Sequence, residues 1–174
     1  MIKETTIENY QEQALRTMAS LGTKAMDGMH MAAGFTTEIG EMNEGIAYND
    51  IVNIREEHGD TYFYIANECS TYGLIFTDLI EQAKTRRKKP FYLHNIVDLH
   101  KREFAYGKEM DLIKLEDELI TMIQYLSKVE KDFKFTIEES LVINIKKLYK
   151  RYPDKFTEEK ALNRDLEAEY KTLK

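Results

Sequence analysis

The chain has 174 residues, 43% of them hydrophobic, a net charge of −6 and one cysteine, Cys69, which suits a single domain and excludes an internal disulfide. Charges of both signs are spread along it, no apolar stretch is long enough to span a membrane, and its start "MIKETTIENYQEQ" lacks the apolar core of a secretory signal. We therefore expect one domain over residues 1–174 that lies in the cytoplasm and has a small-molecule partner, with no role in binding nucleic acid or a membrane.

Periodic apolar residues predict an all-α protein built as a helical bundle. Two prolines and eight glycines are too few for a loop-rich or all-β chain. In chain order, the predicted helices span about 6–22, 27–48, 50–82, 91–106, 111–129, 137–152 and 157–173. The basic run "KTRRKKP" at 84–90 marks a break, because proline and the residue before it disfavour a helix. This run could contact phosphates, although a solvated connector at a helix C-terminus is the interpretation we favour.

A sequence echo predicts a degenerate tandem repeat. The stretch "IREEHGDTYFYI" at 54–65 aligns with "LEDELITMIQYL" at 115–126, although helical chains of biased composition also produce such echoes by chance. The halves would span about 27–82 and 91–130, followed by a helical tail over 137–173. The second copy would be structural, because three acids of the first copy, Glu38, Glu41 and Asp60, fall over Ile96, Leu99 and Thr121.

Carboxylates recur at three-residue spacing in two predicted helices. The stretch "TTEIGEMNE" carries Glu38, Glu41 and Glu44, and "EEHGD" carries Glu57 and Asp60. Residues three apart share one helix face, where like charges destabilise an isolated helix by a few tenths of a kcal/mol per pair. A cation would relieve that repulsion. Two antiparallel helices joined by a short turn would bring the acid pairs face to face, as an all-oxygen site suited to Mg²⁺ or Mn²⁺.

A solvated helix face, paired with lysines and arginines, is the alternative explanation of these acids. The places four residues after them hold no cation: they are Met42, Gly45, Thr61 and Tyr64. Apolar flanks indicate partly buried helices, where an unpaired carboxylate is costly, and Gly40 and Gly59 inside the helical patterns suggest close packing or ligand approach. A ferritin-like di-iron site needs histidines three residues after glutamates, and a zinc site needs more Cys and His, so a hard cation remains.

The two acid pairs also resemble a known motif. Glu38-x-x-Glu41, a fifteen-residue gap and Glu57-x-x-Asp60 within "NIREEHGDTYFYIANE" resemble the MazG-like all-α nucleoside triphosphate pyrophosphohydrolases, the superfamily that includes dimeric dUTPases. The stretch "KRYPDKFTEEKALNRD" is similar to the tail of phage and prophage members. The motifs cover most of 28–68 and 146–168. The chain departs from the pattern at 58 and 61–63, where "H" and "TYF" replace a Leu and a Trp-containing apolar run, and its middle is longer than in minimal members. These departures leave the substrate and the oligomeric arrangement open.

The resemblance implies cleavage between the α and β phosphates of a ribo- or deoxyribonucleoside triphosphate, giving a monophosphate and pyrophosphate for nucleotide-pool control or house-cleaning. It implies a homodimer or higher homo-oligomer. Four acids would be catalytic and hold Mg²⁺ or Mn²⁺: Glu38, Glu41, Glu57 and Asp60. Glu56 lies about 40° around the helix from Asp60 and could orient the attacking water, and Glu44 could be a further ligand. Each of these two could equally be a solvated acid.

Basic residues near the C-terminus could donate hydrogen bonds to phosphate oxygens. The tail offers Lys147, Lys150, Arg151, Lys155 and Arg164, of which we select Arg151, Lys155 and Arg164, with Lys150 as a further candidate. Any one of them could instead be a surface charge. Asn163 could bind the substrate or cap a local turn.

Aromatic residues and a histidine could recognise the base. His30 could stack on a base or bond to it, although a helix-packing histidine is the simpler interpretation. Four aromatic residues could line a base pocket or belong to the core: Phe35, Tyr48, Tyr62 and Tyr64. Two functions of another class remain open, a non-catalytic metal-binding scaffold and a module whose acids attract basic peptides.

Overall fold

The structure, a computed structural model, describes residues 4–163 and, beyond them, residues 165, 167, 169, 171 and 173. The predicted all-α fold is confirmed, because these residues form helices and no strand. None of the helices described is long and apolar enough to cross a membrane. The helices are α1 (Ile7–Leu15), α2 (Lys24–Tyr48), α3 (Ile51–Tyr72), α4 (Phe76–Thr85), α5 (Leu93–Tyr106), α6 (Leu112–Phe133), α7 (Ile137–Arg151) and α8 (Glu158–Leu162).

A tight turn joins α2 and α3 into an antiparallel hairpin. α2 ends at Tyr48, and Asn49 adopts a left-handed conformation, with φ of 56°, that stops the helix. The side chain of Asp50 then accepts hydrogen bonds from the backbone N–H groups of Val52 and Asn53 and caps α3. Because the turn is so short, the second half of α2 faces the first half of α3.

The single helix predicted over 50–82 is wrong, because the chain divides it into α3 and α4. Gly73 follows α3 with φ of 75°, a left-handed conformation that glycine reaches without the strain a side chain would cause. α4 then begins at Phe76, turns away from α3 and packs on α6. The apolar pattern continues across this break, which is why periodicity alone does not reveal it.

Two further helices are shorter than predicted. α1 ends at Leu15, and the connector to α2 includes Gly22 with φ of 93°. α8 ends at Leu162, because Asn163 leaves the helical region with φ of −112° and ψ of 65°. Beyond 163, the helix predicted to continue to 173 falls partly on residues outside those described.

The core centres on α3, which packs against α1, α2 and α7. Its side chains of Ile54, Tyr62 and Ile65 are fully buried. α6 contributes a stripe at the spacing of an amphipathic helix, formed by Leu115, Leu119, Met122, Ile123 and Leu126. Burying each such side chain stabilises the fold by about 1.5–3 kcal/mol. The α2–α3 hairpin is therefore supported by its packing against α1, α5 and α7.

The two halves of the predicted repeat share their capping geometry. α3 and α6 each have 22 residues, and each begins after a capping aspartate, Asp50 or Asp111. Each also ends at a residue in the left-handed conformation, Gly73 or Lys134. α4, at the end of the first half, packs on α6 of the second half, while α7 of the tail packs on α3. This correspondence supports the repeat, which stays a prediction.

Candidate functional site

Three carboxylates converge across the hairpin that α2 and α3 form. Glu38 and Glu41 lie on α2, and Glu57 lies opposite them on α3. One carboxylate oxygen of each lies within 4.8 Å of the other two. Glu57 is only 5% exposed, Glu38 is half-buried and Glu41 is open to solvent. This spacing lets one hard divalent cation contact all three residues.

Burial and neighbouring acids disfavour the ionised forms of Glu57 and Glu38. Burial, the hydrogen bond with Glu38 and the charge of Asp60 raise the pKa of Glu57 to about 10. Burial also raises the pKa of Glu38 above its ordinary value. The pair therefore holds a proton near neutral pH, because two carboxylates this close do not both ionise without a cation. A divalent cation would displace that proton, so the residues present fit Mg²⁺ or Mn²⁺.

Asp60, the fourth predicted ligand, is held by α7 rather than by the three glutamates. Its Oδ1 accepts a hydrogen bond from Nδ2 of Asn144 at 2.6 Å, and its Oδ2 contacts Nζ of Lys147. Lys147 also donates to Oε1 of Glu56 at 3.0 Å. Asp60 therefore has a cationic partner although the place four residues after it holds none, because Lys147 comes from a distant helix; Glu56 shares that partner.

Lys147 is a buried cation, only 2% exposed. Burial lowers the pKa of Lys147, but the charges of Asp60 and Glu56 outweigh it and hold the pKa above its ordinary value. The ammonium group therefore stays charged. It supplies a fixed positive charge beside the three glutamates, where phosphate oxygens could compete with Glu56 and Asp60 for its protons.

A close approach of α7 to α3 brings Asn144 and Lys147 into the site. Both lie on one face of α7 with Ser140, whose backbone oxygen would be only 2.8 Å from a Cβ placed on Gly59. The close packing of α7 on α3 therefore explains why position 59 is a glycine. The buried hydroxyl of Tyr10 donates to Oδ1 of Asn144 at 2.8 Å, which turns the amide nitrogen toward Asp60. The other motif glycine differs, since a Cβ on Gly40 would meet nothing within 4 Å.

The three converging glutamates line a cavity of about 370 Å³, together with Asp60 and Lys147. We call this cavity the acid pocket. Five of the predicted catalytic residues line it: Glu38, Glu41, Glu56, Glu57 and Asp60. Arg151, predicted to bind substrate, lines it too, and its guanidinium donates two hydrogen bonds to Glu169, from Nε at 2.9 Å and from Nη2 at 2.6 Å. The pocket thus combines acids at its centre with two basic residues of α7 at its edge.

Other predicted site residues lie elsewhere. Exposed residues that do not line the acid pocket are Glu44, Lys150, Lys155 and Asn163. The side chain of Asn163 donates to the carbonyl of Glu159 at 3.0 Å, the local hydrogen bond that was the alternative for this residue. Arg164 lies outside the described residues. His30 lines a smaller neighbouring cavity.

Of the four aromatic residues predicted for a base pocket, only one lines the acid pocket. Tyr64 lines the acid pocket, Phe35 and Tyr62 are fully buried in the core, and Tyr48 is 83% exposed. His58, which departs from the family motif, is also buried. Its Nε2 lies 3.2 Å from Oε1 of Glu130 on α6, so it packs between helices and does not line the acid pocket.

The acids of the second half have partners of their own. Lys89 of the basic run lies 2.7 Å from Asp117, and Arg86 lies 3.4 Å from Glu116. Glu118, at the place of Glu57 in the repeat alignment, accepts a hydrogen bond from Asn95 at 3.0 Å. None of these three acids belongs to the group of converging carboxylates found among the described residues.

Two residues of the acid pocket, Asn144 and Lys147, are not among the predicted site residues. A signal exists, because Lys147 falls within the apolar stripe of α7 between Ile145 and Leu148, where an unpaired lysine would be costly. A lysine in such a stripe predicts an acidic partner inside the protein.

Comparison with known proteins gives no match: no protein-family model, no curated protein and no solved structure matches this chain. The family resemblance therefore rests on the motif residues alone.

Proposed function

We propose that the protein is a cytoplasmic, Mg²⁺-dependent nucleoside triphosphate pyrophosphohydrolase that acts as a homodimer or higher homo-oligomer. The observation that carries the proposal is the convergence of Glu38, Glu41 and Glu57, with one oxygen of each within 4.8 Å of the others, beside the buried cation Lys147. Oxygen ligands next to a phosphate-binding cation suit hard-cation phosphate chemistry. The motif resemblance adds the bond that is cleaved, between the α and β phosphates.

In this proposal the three glutamates hold the divalent cation. When bound, that cation neutralises charge on the phosphates and lowers the pKa of a coordinated water. Glu56 lies at the pocket wall within hydrogen-bond distance of Lys147, 3.0 Å from its Nζ. When phosphate oxygens draw Lys147 toward themselves, Glu56 becomes free to orient the attacking water and accept its proton.

Asn144 and Asp60 complete the arrangement. Asn144 holds Asp60 through a 2.6 Å hydrogen bond, so the carboxylate keeps its direction while Lys147 exchanges partners. Asp60 could join the three glutamates as a ligand once Lys147 turns to the phosphates, because the ammonium would no longer be bonded to its carboxylate.

A direct assay tests the proposal. The purified protein is incubated with each common ribo- and deoxyribonucleoside triphosphate, with Mg²⁺ or with a chelator, and the products are resolved by ³¹P nuclear magnetic resonance. We expect pyrophosphate and a monophosphate from at least one substrate, and no turnover without a divalent cation. Orthophosphate and a diphosphate as the main products would contradict the proposal.

The two alternative functions predict other results. A metal-binding scaffold would show Mg²⁺ binding in a calorimetric titration and would hydrolyse no nucleotide. A peptide-binding module would bind basic peptides in the presence of chelator. The second alternative has less support, because Lys147 already forms ion pairs with Glu56 and Asp60 from within the protein.

A further inference from the structure

A second cavity, of about 200 Å³, adjoins the acid pocket. The two cavities share the side chains of Phe63, Tyr64, Leu148 and Arg151 as a common wall. We call the second cavity the aromatic compartment. The two cavities are therefore neighbours, which is the arrangement that a ligand with one charged end and one planar end would need.

The lining of the aromatic compartment is rich in rings and aliphatic side chains, with polar groups contributed by Thr17, His30 and Arg151. Met31 is fully buried, and Tyr152, 4% exposed, packs against Phe156 with ring centroids 5.5 Å apart. His30 meets the Tyr64 ring edge-on at 5.9 Å and 79°. Aromatic and thioether side chains favour a flat, polarisable ring as partner. The acid pocket, in contrast, is lined by five carboxylates.

One polar atom in this lining has no partner. Nδ1 of His30 is buried and makes no hydrogen bond. Burial lowers the pKa of His30, so the ring is neutral near pH 7. A buried polar atom without a hydrogen bond is costly, and a ligand that supplied the missing bond would recover that cost. The compartment thus offers an unpartnered buried nitrogen among ring and aliphatic side chains.

The size of the compartment limits what fits. Pockets for whole drug-sized ligands occupy about 300–1,000 Å³, so 200 Å³ suits a single planar ring system rather than a complete nucleotide. For a triphosphate whose phosphates lie in the acid pocket, this space beyond Tyr64 is a neighbouring cavity of a size that suits the base.

We infer that the aromatic compartment is the nucleobase subsite, in which His30 hydrogen-bonds the base edge through Nδ1 and sets the preference among bases. This inference rests on the proposed function for the identity of the ligand. It assigns base recognition to α2, α3 and the segment after α7, and leaves the phosphates to the acid pocket. Removing His30 should therefore change which base is preferred without changing the chemistry of cleavage.

The test uses His30→Ala, His30→Asn and, as a matched control, His94→Ala. Asn can place a polar atom near the position of Nδ1, and His94 is an exposed histidine of α5 that does not line the aromatic compartment. Two measurements are made on the full chain: binding of unphosphorylated nucleosides at millimolar concentration by saturation-transfer NMR without metal, and kcat/KM for each triphosphate. We expect His30→Ala to lose nucleoside binding and to reduce the ratio between the best and worst bases by about tenfold or more. His30→Asn should retain part of both, and His94→Ala should match the wild type.

Different results would refute the nucleobase subsite and the proposed function. If the wild type hydrolyses triphosphates but His30→Ala keeps both nucleoside binding and base preference, the base subsite is refuted and the proposed function stands. If no triphosphate is hydrolysed but nucleosides bind in a manner that needs His30, the proposed function fails and the subsite stands. Absence of nucleoside binding to the wild type, with base preference unchanged in His30→Ala, also overturns the subsite.

Discussion

Glu57 is the residue whose chemistry responds most directly to pH. Its ordinary pKa of 4.5 is raised to about 10 in the folded protein by burial, the hydrogen bond with Glu38 and the charge of Asp60. The folded state therefore binds a proton that the unfolded state releases above pH 4.5. This contribution to stability is fully present below that pH and is lost as the pH rises toward 10.

We predict that the Tm of the metal-free protein falls between pH 5 and pH 9, and that Glu57→Gln makes the fall shallower because the amide needs no proton. Thermal melts followed by circular dichroism in the presence of chelator measure both slopes. Saturating Mg²⁺ should also flatten the wild-type slope, because a cation replaces the proton. Equal slopes for the wild type and Glu57→Gln in chelator would show that Glu57 does not hold the proton.

Tyr10 is a residue whose effect on the site is indirect. Its hydroxyl fixes the amide of Asn144, which in turn holds Asp60. We predict that Tyr10→Phe lowers kcat several-fold and costs about 1 kcal/mol of stability, since one buried hydrogen bond is lost. Tyr125→Phe is the matched control, because Tyr125 also donates to an asparagine, Asn43 at 2.9 Å, away from the acid pocket. Similar kcat losses in both variants would remove Tyr10 from the positioning of Asp60.

At the scale of elements, the packing of α7 on α3 decides whether the acid pocket forms. Gly59 allows the approach, because a Cβ there would lie 2.8 Å from the backbone oxygen of Ser140 and 3.1 Å from Cβ of Asn144. Backbone atoms in a helix cannot move aside cheaply. Any side chain at Gly59 would therefore push α7, and Lys147 with it, away from α3.

We predict that Gly59→Ala destabilises the fold by about 1–3 kcal/mol and lowers activity, since overpacking outweighs the gain in helix propensity. Gly40→Ala is the control within the other half of the motif. Nothing lies within 4 Å of its Cβ position, so it should stabilise α2 by about 0.5–1 kcal/mol and leave activity unchanged. Denaturant unfolding and the pyrophosphate assay measure the two effects. Stabilisation by both substitutions would show that α7 does not press on Gly59.

At the scale of the whole molecule, much of the fold was predictable from sequence and part of the site was not. Helix positions follow from apolar periodicity, and the α2–α3 turn follows from Asn49 and Asp50, whose side chains suit a helix end and a helix start. The break at Gly73 was missed, because the apolar pattern runs on through it. The contact of Lys147 with Asp60 depends on how α7 packs, which no local pattern encodes.

The two halves of the predicted repeat differ in whether their acids have partners. Among the described ion pairs none involves Glu38, Glu41 or Glu57, while the acids of the second half are satisfied by Arg86, Lys89 and Asn95. In our proposal a divalent cation would therefore be bound in the first half only. This asymmetry carries the central claim that divalent-metal chemistry takes place at Glu38, Glu41 and Glu57.

The most direct measurement of that claim is Mg²⁺-dependent pyrophosphate release by Glu57→Gln and Glu118→Gln, with folding checked by circular dichroism. These glutamates occupy corresponding places in the two halves, and each accepts or shares a side-chain hydrogen bond. We predict that Glu57→Gln loses about a hundredfold or more of the activity, because a metal ligand that supports several kcal/mol of charge stabilisation is lost, while Glu118→Gln stays within about twofold of the wild type. Equal losses in the two folded variants, or full activity in Glu57→Gln, would contradict the account.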